Sequence, residues 1–308
     1  MNSQIPTSRG SACRWLEVAL NGPWTRQHQP NIPITEAEII EDAVACVHEG
    51  ASIVHVHAYD PATGRQKDDP DIYSRIIEGI RRRVDAIVYP TVPFAASSDG
   101  PGAANAMQDR FSAVEVLARR GLLEMSVVDL GSLNFVSHEE ISHARDGFVH
   151  TNSVSEIRRN LKLAGDYGFH PNYTIYEAGF LRFGAAMRRS MPSLLAPIYR
   201  FMLSDIYTFG APPSDEAVAY LAGLLDRLDP GMPWMVAGLG IDAEPLFAHA
   251  LGRGGHVRVG LEDLPPHSKA RNRELVASAI GLMHREGFTA ASASDIRSQL
   301  ASVIESRE

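Results

Sequence analysis

The chain has 308 residues, with 29 Lys and Arg against 37 Asp and Glu and a formal net charge of −8. That balance argues against a nucleic-acid binder, which depends on clustered cations, but leaves room for a local basic pocket around an anionic ligand. Two cysteines, Cys13 and Cys46, make neither a disulfide framework nor a Cys-rich zinc motif. Met1–Gly10 is polar and lacks the apolar core of a signal peptide. No apolar run approaches the roughly 18 residues of a membrane span; the best stretch, Leu194–Leu203, carries Pro197, Tyr199 and Arg200. The expectation is a soluble cytoplasmic protein that binds neither nucleic acid nor membrane.

Short apolar runs alternate with helical patterns along the chain. The first run, Trp15–Leu20, ends at Asn21-Gly22-Pro23, not at the Gly-x-Gly-x-x-Gly of a dinucleotide-binding sheet. Thr35 then caps a stripe of Ile39, Ile40, Ala43 and Val47 that stops at Gly50. Ser52–Ala58 precedes a helix over Asp71–Val84, and Ala86–Val92 precedes one over Arg110–Arg120. Leu123–Leu130 is followed by Ser153–Tyr167, where Ser153 and Glu156 stand at capping-box spacing. After Asn172–Tyr176, the stretch Gly179–Pro197 reads as one or two short helices broken by Pro192. Tyr199–Leu203 precedes Ser214–Leu228, Trp234–Gly238 precedes the short Pro245–Leu251, and His256–Leu261 precedes Arg273–Arg285.

Continuous apolar runs of this length read as parallel strands buried on both faces. The repeated units predict an α/β fold, a single-domain (β/α)8 TIM barrel, over an open doubly wound sheet. The domain is expected to span 1–308, with strand–helix units from about residue 15 to 286, a polar N-terminal segment over 1–12 and a short C-terminal helix.

A barrel places its site at the C-terminal ends of its strands. At the second of these, residues two apart share a face, so His55 and His57 point the same way about 6.6 Å apart along the chain. Two imidazoles at that spacing can reach one metal ion, although a pair of hydrogen-bonded core histidines or a proton relay would read the same. At the eighth, Val257, Val259 and Leu261 form an apolar face. Arg258, Gly260 and Glu262 form the opposite, inward one, with Asp263 on another face or in the loop. An inward charge is costly unless paired or metal-bound. Glu262 is therefore the natural third ligand, and an Arg258–Asp263 or Arg258–Glu262 pair that merely ties the barrel is the competing reading. Two histidines and one glutamate leave coordination open for substrate, the catalytic pattern, with zinc the best fit and Fe, Mn, Co or Ni alternatives.

These motifs resemble the β-keto acid cleavage enzymes. The resemblance rests on Gln29-Pro30-Asn31-Ile32-Pro33-Ile34-Thr35, on Glu49-Gly50-Ala51 with His55, His57 and Asp60, and on Glu124-Met125. It continues through Gly131-Ser132-Leu133-Asn134-Phe135, Tyr176-Glu177-Ala178-Gly179 and Val236-Ala237-Gly238-Leu239-Gly240. The most specific piece is Gly254-Gly255-His256-Val257-Arg258-Val259-Gly260-Leu261-Glu262-Asp263. The resemblance implies a TIM barrel that binds a divalent metal, usually zinc, through His55, His57 and Glu262. It implies a reaction of a β-keto acid with acetyl-CoA that gives acetoacetate and an acyl-CoA by Claisen addition and retro-Claisen cleavage. Asp263 would be the general base, oriented by Arg258, in a homo-oligomer such as a dimer or tetramer.

Departures from the family pattern bear on substrate. After the third strand a Ser-Thr-Gly-Gly type loop is replaced by Pro90-Thr91-Val92-Pro93-Phe94, where Thr91 keeps a hydroxyl. An acidic support for the base in the first loop is replaced by Trp24, near Asn21. On the fourth strand a Thr and an Asn become Val127 and Asp129, and on the fifth an acidic residue tied to amine binding becomes Thr174. Asn21, Trp24, Thr91, Asp129 and Thr174 are the expected substrate-contacting positions. The implied substrate is a β-keto acid without a cationic amine, with an apolar tail.

For CoA, Gly238, Gly240, Gly252, Gly254 and Gly255 cluster around the last two strands, as a phosphate cradle or as turn glycines. Competing readings are a CoA-independent aldolase or lyase, an amidohydrolase-like hydrolase, and an idle binding barrel. The other histidines, His150 among them, read as surface residues, and His256 lies at the wrong end of its strand for catalysis.

Overall fold

The computed structural model describes residues 13–94 and 109–305; the polar N-terminal segment over 1–12 lies outside them. Eight strands form one parallel sheet: β1 (Leu16–Ala19), β2 (Ile53–Val56), β3 (Ile87–Pro90), β4 (Met125–Asp129), β5 (His170–Ile175), β6 (Ile198–Leu203), β7 (Trp234–Gly238) and β8 (His256–Val259). Their order is β3-β2-β1-β8-β7-β6-β5-β4. The two end strands, β3 and β4, lie side by side, so the sheet curls into a nearly closed barrel. The expected TIM barrel is thus the observed fold.

The helices follow the predicted caps. In α1 (Glu36–Glu49) Thr35 and Glu38 satisfy each other's backbone N–H groups in a capping box. Asp69 caps α2 (Pro70–Arg81), with Pro70 in the first turn where its missing N–H costs nothing. The outer layer continues with α3 (Ser112–Arg119), α4 (Val154–Tyr167), α5 (Ala178–Ser190), α6 (Asp215–Leu228), α7 (Phe247–Gly252) and α8 (Asn272–Arg285). Ser153 and Ser214 cap α4 and α6 as their spacing indicates. The region expected to hold broken helices is a single helix, α5, because Pro192 falls after its last residue. The final helix, Ala293–Glu305, is 13 residues long and packs Ile296 and Leu300 into the core.

Register decides what the barrel interior contains. Arg258 on β8 is the lateral partner of Glu17 on β1. His55 on β2 pairs with Tyr89 on β3. Thr174 on β5 pairs with Asp129 on β4 and with Arg200 on β6. Lateral partners in a parallel sheet point to the same side, so these residues form polar layers inside an otherwise apolar barrel. Burying them requires mutual satisfaction. Tyr89 donates its hydroxyl to Glu17 at 2.7 Å and accepts from Arg200 Nη1 at 2.8 Å and Asn172 Nδ2 at 3.1 Å.

Candidate active site

His55 and His57 stand at the end of β2, buried, with rings at an 85° angle and centroids 5.1 Å apart. Glu262 reaches them from the turn after β8: its Oε2 lies 3.5 Å from Nε2 of each histidine. One ligand atom from each of the three residues falls within 4.8 Å of the others. His57 Nε2 and Glu262 Oε2 are buried without a hydrogen-bond partner. Buried polar atoms are rarely left so, and converging lone pairs at this spacing fit a divalent ion bound at about 2.0–2.2 Å from each.

The surroundings prepare His57 as a ligand. Gln66, in a short hairpin formed by Tyr59–Asp60 and Arg65–Gln66, gives its Nε2–H groups to both oxygens of Asp68 at 2.9 Å. Its Oε1 therefore accepts, and the proton in the 2.9 Å contact to His57 lies on Nδ1. Nε2 keeps its lone pair, as a metal ligand requires. Tyr73 donates to the same Asp68 at 2.9 Å. Burial holds the His55 imidazole well below its ordinary pKa, with the Glu262 charge opposing, so His55 is neutral.

Arg258 organises the other side. Its Nη2 and Nε reach the two oxygens of Asp263 at 2.6 and 2.9 Å, a bidentate pair. The same Nη2 reaches Glu262 Oε1 at 2.9 Å, and Nη1 reaches Glu17 at 3.1 Å. The ion pairs that sequence offered as a competing reading therefore coexist with the ligand cluster. Glu262 and Asp263, expected on different faces, converge because β8 stops at Val259 and Gly260 turns the chain at φ +144. A Cβ there would lie 2.0 Å from the Ala19 carbonyl oxygen. Burial raises the Asp263 pKa and outweighs the opposing Arg258 charge; at Glu262 burial acts the same way, but Arg258 and the two imidazoles prevail and hold it well below the usual range.

These groups line a cavity of about 230 Å³ whose wall includes Trp24, Thr91, Asp129 and Thr174. Thr174 accepts from Arg200 Nη2 at 3.0 Å. Asp129 is held by His150 Nε2 at 3.0 Å, with Arg110 at 4.0 Å. Burial would raise the Asp129 pKa, but His150 and Arg110 lower it below the ordinary value. Trp24 donates Nε1–H to the Glu262 carbonyl at 2.9 Å and stacks on His28. A larger cavity of about 480 Å³, between Gln66–Asp71 and Asp109–Ala113, holds none of the proposed ligands among its described lining residues.

Several expectations change. Asn21 is not on the cavity wall: its amide gives hydrogen bonds to the Pro33 and His57 carbonyls and accepts from the His57 N–H, clamping the end of β2. His150 is fully buried against Asp129 and is no surface residue. Glu17, inside β1, is an acidic partner of Arg258 at 3.1 Å that the sequence reading did not single out. Gly252, Gly254 and Gly255 precede β8, at the barrel end opposite the site, and Gly255 packs on Trp234, so the five glycines form no single cradle. Arg200, Glu17, Tyr89 and Gln66 had no local signal, because each is defined by a partner on another element.

Comparison with known proteins gives the family and the fold. The profile of the beta-keto acid cleavage enzyme family matches residues 14–301. The chain is 27% identical over 284 residues to a 3-keto-5-aminohexanoate cleavage enzyme of Fusobacterium nucleatum, covering 90% of this chain and 93% of that protein. It is 25% identical over 287 residues to a 3-dehydrocarnitine:acetyl-CoA trimethylamine transferase of Rhizobium meliloti, covering 88% and 90%. It is 25% identical over 295 residues to a 3-oxoadipate:acetyl-CoA acetyltransferase of Cupriavidus necator, covering 92% and 93%. Among solved structures, apo ObcA shares the fold with a TM-score of 0.70 at 16% identity; the match covers 88% of this chain and 66% of ObcA, so the chain spans about two-thirds of that protein. With the profile matched from Arg14 to Ala301, the chain belongs to the beta-keto acid cleavage enzyme family.

Proposed function

We propose that the protein converts a β-keto acid and acetyl-CoA to acetoacetate and a new acyl-CoA. The observation that carries this reading is the meeting, in one cavity of a family member, of the His55–His57–Glu262 cluster with the Arg258–Asp263 pair. Zinc, or another divalent ion held by His55, His57 and Glu262, would supply a Lewis acid for the ketone and carboxylate oxygens of the β-keto acid.

The chain's own residues account for the rest. Asp263 takes the proton from the carbon between the two carbonyl groups, a task suited to a buried carboxylate of raised pKa. Arg258 fixes the plane of that carboxylate through both oxygens. Arg200 and Arg258 are offset by Glu17, Glu262 and Asp263, so the positive charge that favours an anionic substrate would come from the divalent ion at the cluster. In the overall exchange the acetyl carbonyl carbon bonds to the deprotonated carbon while its thioester C–S bond breaks and releases CoA thiolate. The thiolate then adds to the original acyl carbonyl, the bond from that carbonyl to the deprotonated carbon breaks, and the carbon regains the proton held by Asp263. Atoms balance without a redox partner.

The substrate carries no ammonium group. Asp129, the acidic group of the fourth and fifth strand ends, is already committed to His150, and Thr174 to Arg200.

Metal analysis of the purified protein, together with an assay over a β-keto acid panel with and without acetyl-CoA, tests the reading. Acyl-CoA formation that needs zinc supports it. Hydrolysis or cleavage that proceeds without acetyl-CoA, or an amine-bearing substrate as the sole one turned over, overturns it.

A further inference from the structure

The cavity lining has two chemically distinct parts. One carries the ligand cluster, Asp263, Arg258 and Arg200. The other is walled by Phe94, Val127, Phe135, Phe148, Tyr176 and Met202. We propose that this second wall receives the acyl tail of the β-keto acid and that it selects a tail that is uncharged and apolar. The assignment rests on the acyl-transfer reading for what occupies the polar part.

The carboxylate at the wall already has partners. Asp129, the acidic group nearest this wall, is hydrogen-bonded by buried His150 and faced by Arg110. A tail ending in an ammonium group therefore meets an anion that is already paired. A tail ending in a carboxylate fares no better. Arg110 gives Nη1–H to Asn152 Oδ1 at 2.8 Å and does not line the cavity, while Arg200 and Arg258 are held in the polar part by Tyr89, Thr174, Glu17 and Asp263. Burying an unpaired charge is expensive, and the apolar wall offers no compensation.

Aromatic rings can instead attract a quaternary ammonium, but only through open faces. Here one face of several of these rings is already taken by another ring. Phe135 stacks on Phe148 with centroids 5.1 Å apart at 12°. Tyr207 stacks on Phe209 at 5.4 Å and 16°, and Phe94 meets Phe135 and Phe148 edge to face at 72° and 79°. What such a wall rewards is apolar area removed from water.

The test uses zinc-loaded protein and β-keto acids with straight alkyl tails of increasing length. Companion substrates of equal length end in an ammonium, a trimethylammonium or a carboxylate. Calorimetric titration without acetyl-CoA reads binding alone, and the same set with acetyl-CoA reads turnover. The expected result is an affinity gain of about fourfold per added methylene until the wall is filled, with charged tails weaker by about 100-fold. Met202→Ala should move the optimum to a longer tail. A charged tail that binds as well as its neutral counterpart, affinity independent of tail length, or no binding by any member overturns the proposal. Neutral tails that bind best but yield no acyl-CoA leave the tail wall standing and overturn the acyl-transfer reading instead.

Discussion

Arg258 and Asp263 face each other as a fork on a carboxylate, with contacts of 2.6 and 2.9 Å inside a closed protein interior. Only a planar guanidinium holds both oxygens at once. Arg258→Lys keeps the charge and loses the fork. The expected outcome is a fall in kcat of about 100-fold from misorientation. Bound zinc, measured by elemental analysis, should stay near its wild-type level. A variant with wild-type kcat would show that the fork does not orient the base.

Asp263→Asn tests the proposed base. It preserves shape and removes proton uptake, so acyl-CoA formation should fall by about 10²- to 10⁴-fold. β-Keto acid binding in the absence of acetyl-CoA should change little. Exchange of the substrate's acidic C–H protons with deuterium, followed by NMR, should slow in parallel.

Gln66 fixes the tautomer of His57 from outside the proposed ligand set. Gln66→Leu fills the same space without an acceptor. Zinc affinity, measured by chelator competition, should weaken by about 10- to 100-fold, as is usual when a partner behind a ligand is removed. Unchanged affinity would mean that the hairpin only covers the site.

Gly260 and Gly121 both have positive φ, but their surroundings differ. A Cβ on Gly260 meets the Ala19 carbonyl, whereas one on Gly121 meets nothing within 4 Å. Gly121→Ala should cost only the conformational strain, about 1 kcal/mol. Gly260→Ala should cost about 3 kcal/mol or more, since the β1–β8 contact must open as well. Urea unfolding midpoints measure both.

His256, at the opposite end of β8 from the site, sets an acid limit on stability. Its Nδ1 accepts the Trp15 N–H at 3.0 Å, and its ring stacks on the indole at 4.2 Å. Burial, aided by the Arg14 charge, lowers its pKa from 6.5 to about 3. The unfolded chain takes a proton below 6.5 and the folded chain does not until about 3. The stability held above pH 6.5 is therefore lost progressively as pH falls towards 3. His256→Asn, which keeps an acceptor for Trp15, should flatten this part of a urea midpoint-against-pH curve.

Much of the scaffold was legible along the chain because its determinants are local. Apolar runs of strand length mark each β element, and Thr35, Ser153 and Ser214 mark helix starts by side chains that bond N–H groups three residues away. The single helix over Ala178–Ser190 was misread only because Pro192 lies close to its end. His55 and His57 were legible for a similar reason, since strand alternation alone places two residues on one face.

Partners brought by the barrel's closure were not legible. Glu17 sits 241 residues from Arg258 in sequence, and only the β1–β8 register makes them neighbours. His150 reads as a loop residue until Phe148–His150 pairs antiparallel with Leu133–Phe135 and sets it against Asp129, and Asn21 reads as a pocket residue until it is seen to clamp the backbone at His57. The sequence by itself determined the repeating strand–helix units, the caps and the two same-face histidines, because those follow from steric and hydrogen-bonding rules acting over a few residues. The tertiary structure alone decided which charges meet inside the barrel. Strand register and the turn at Gly260 set those distances, and a buried charge is defined energetically by its partner and not by its neighbours in the chain.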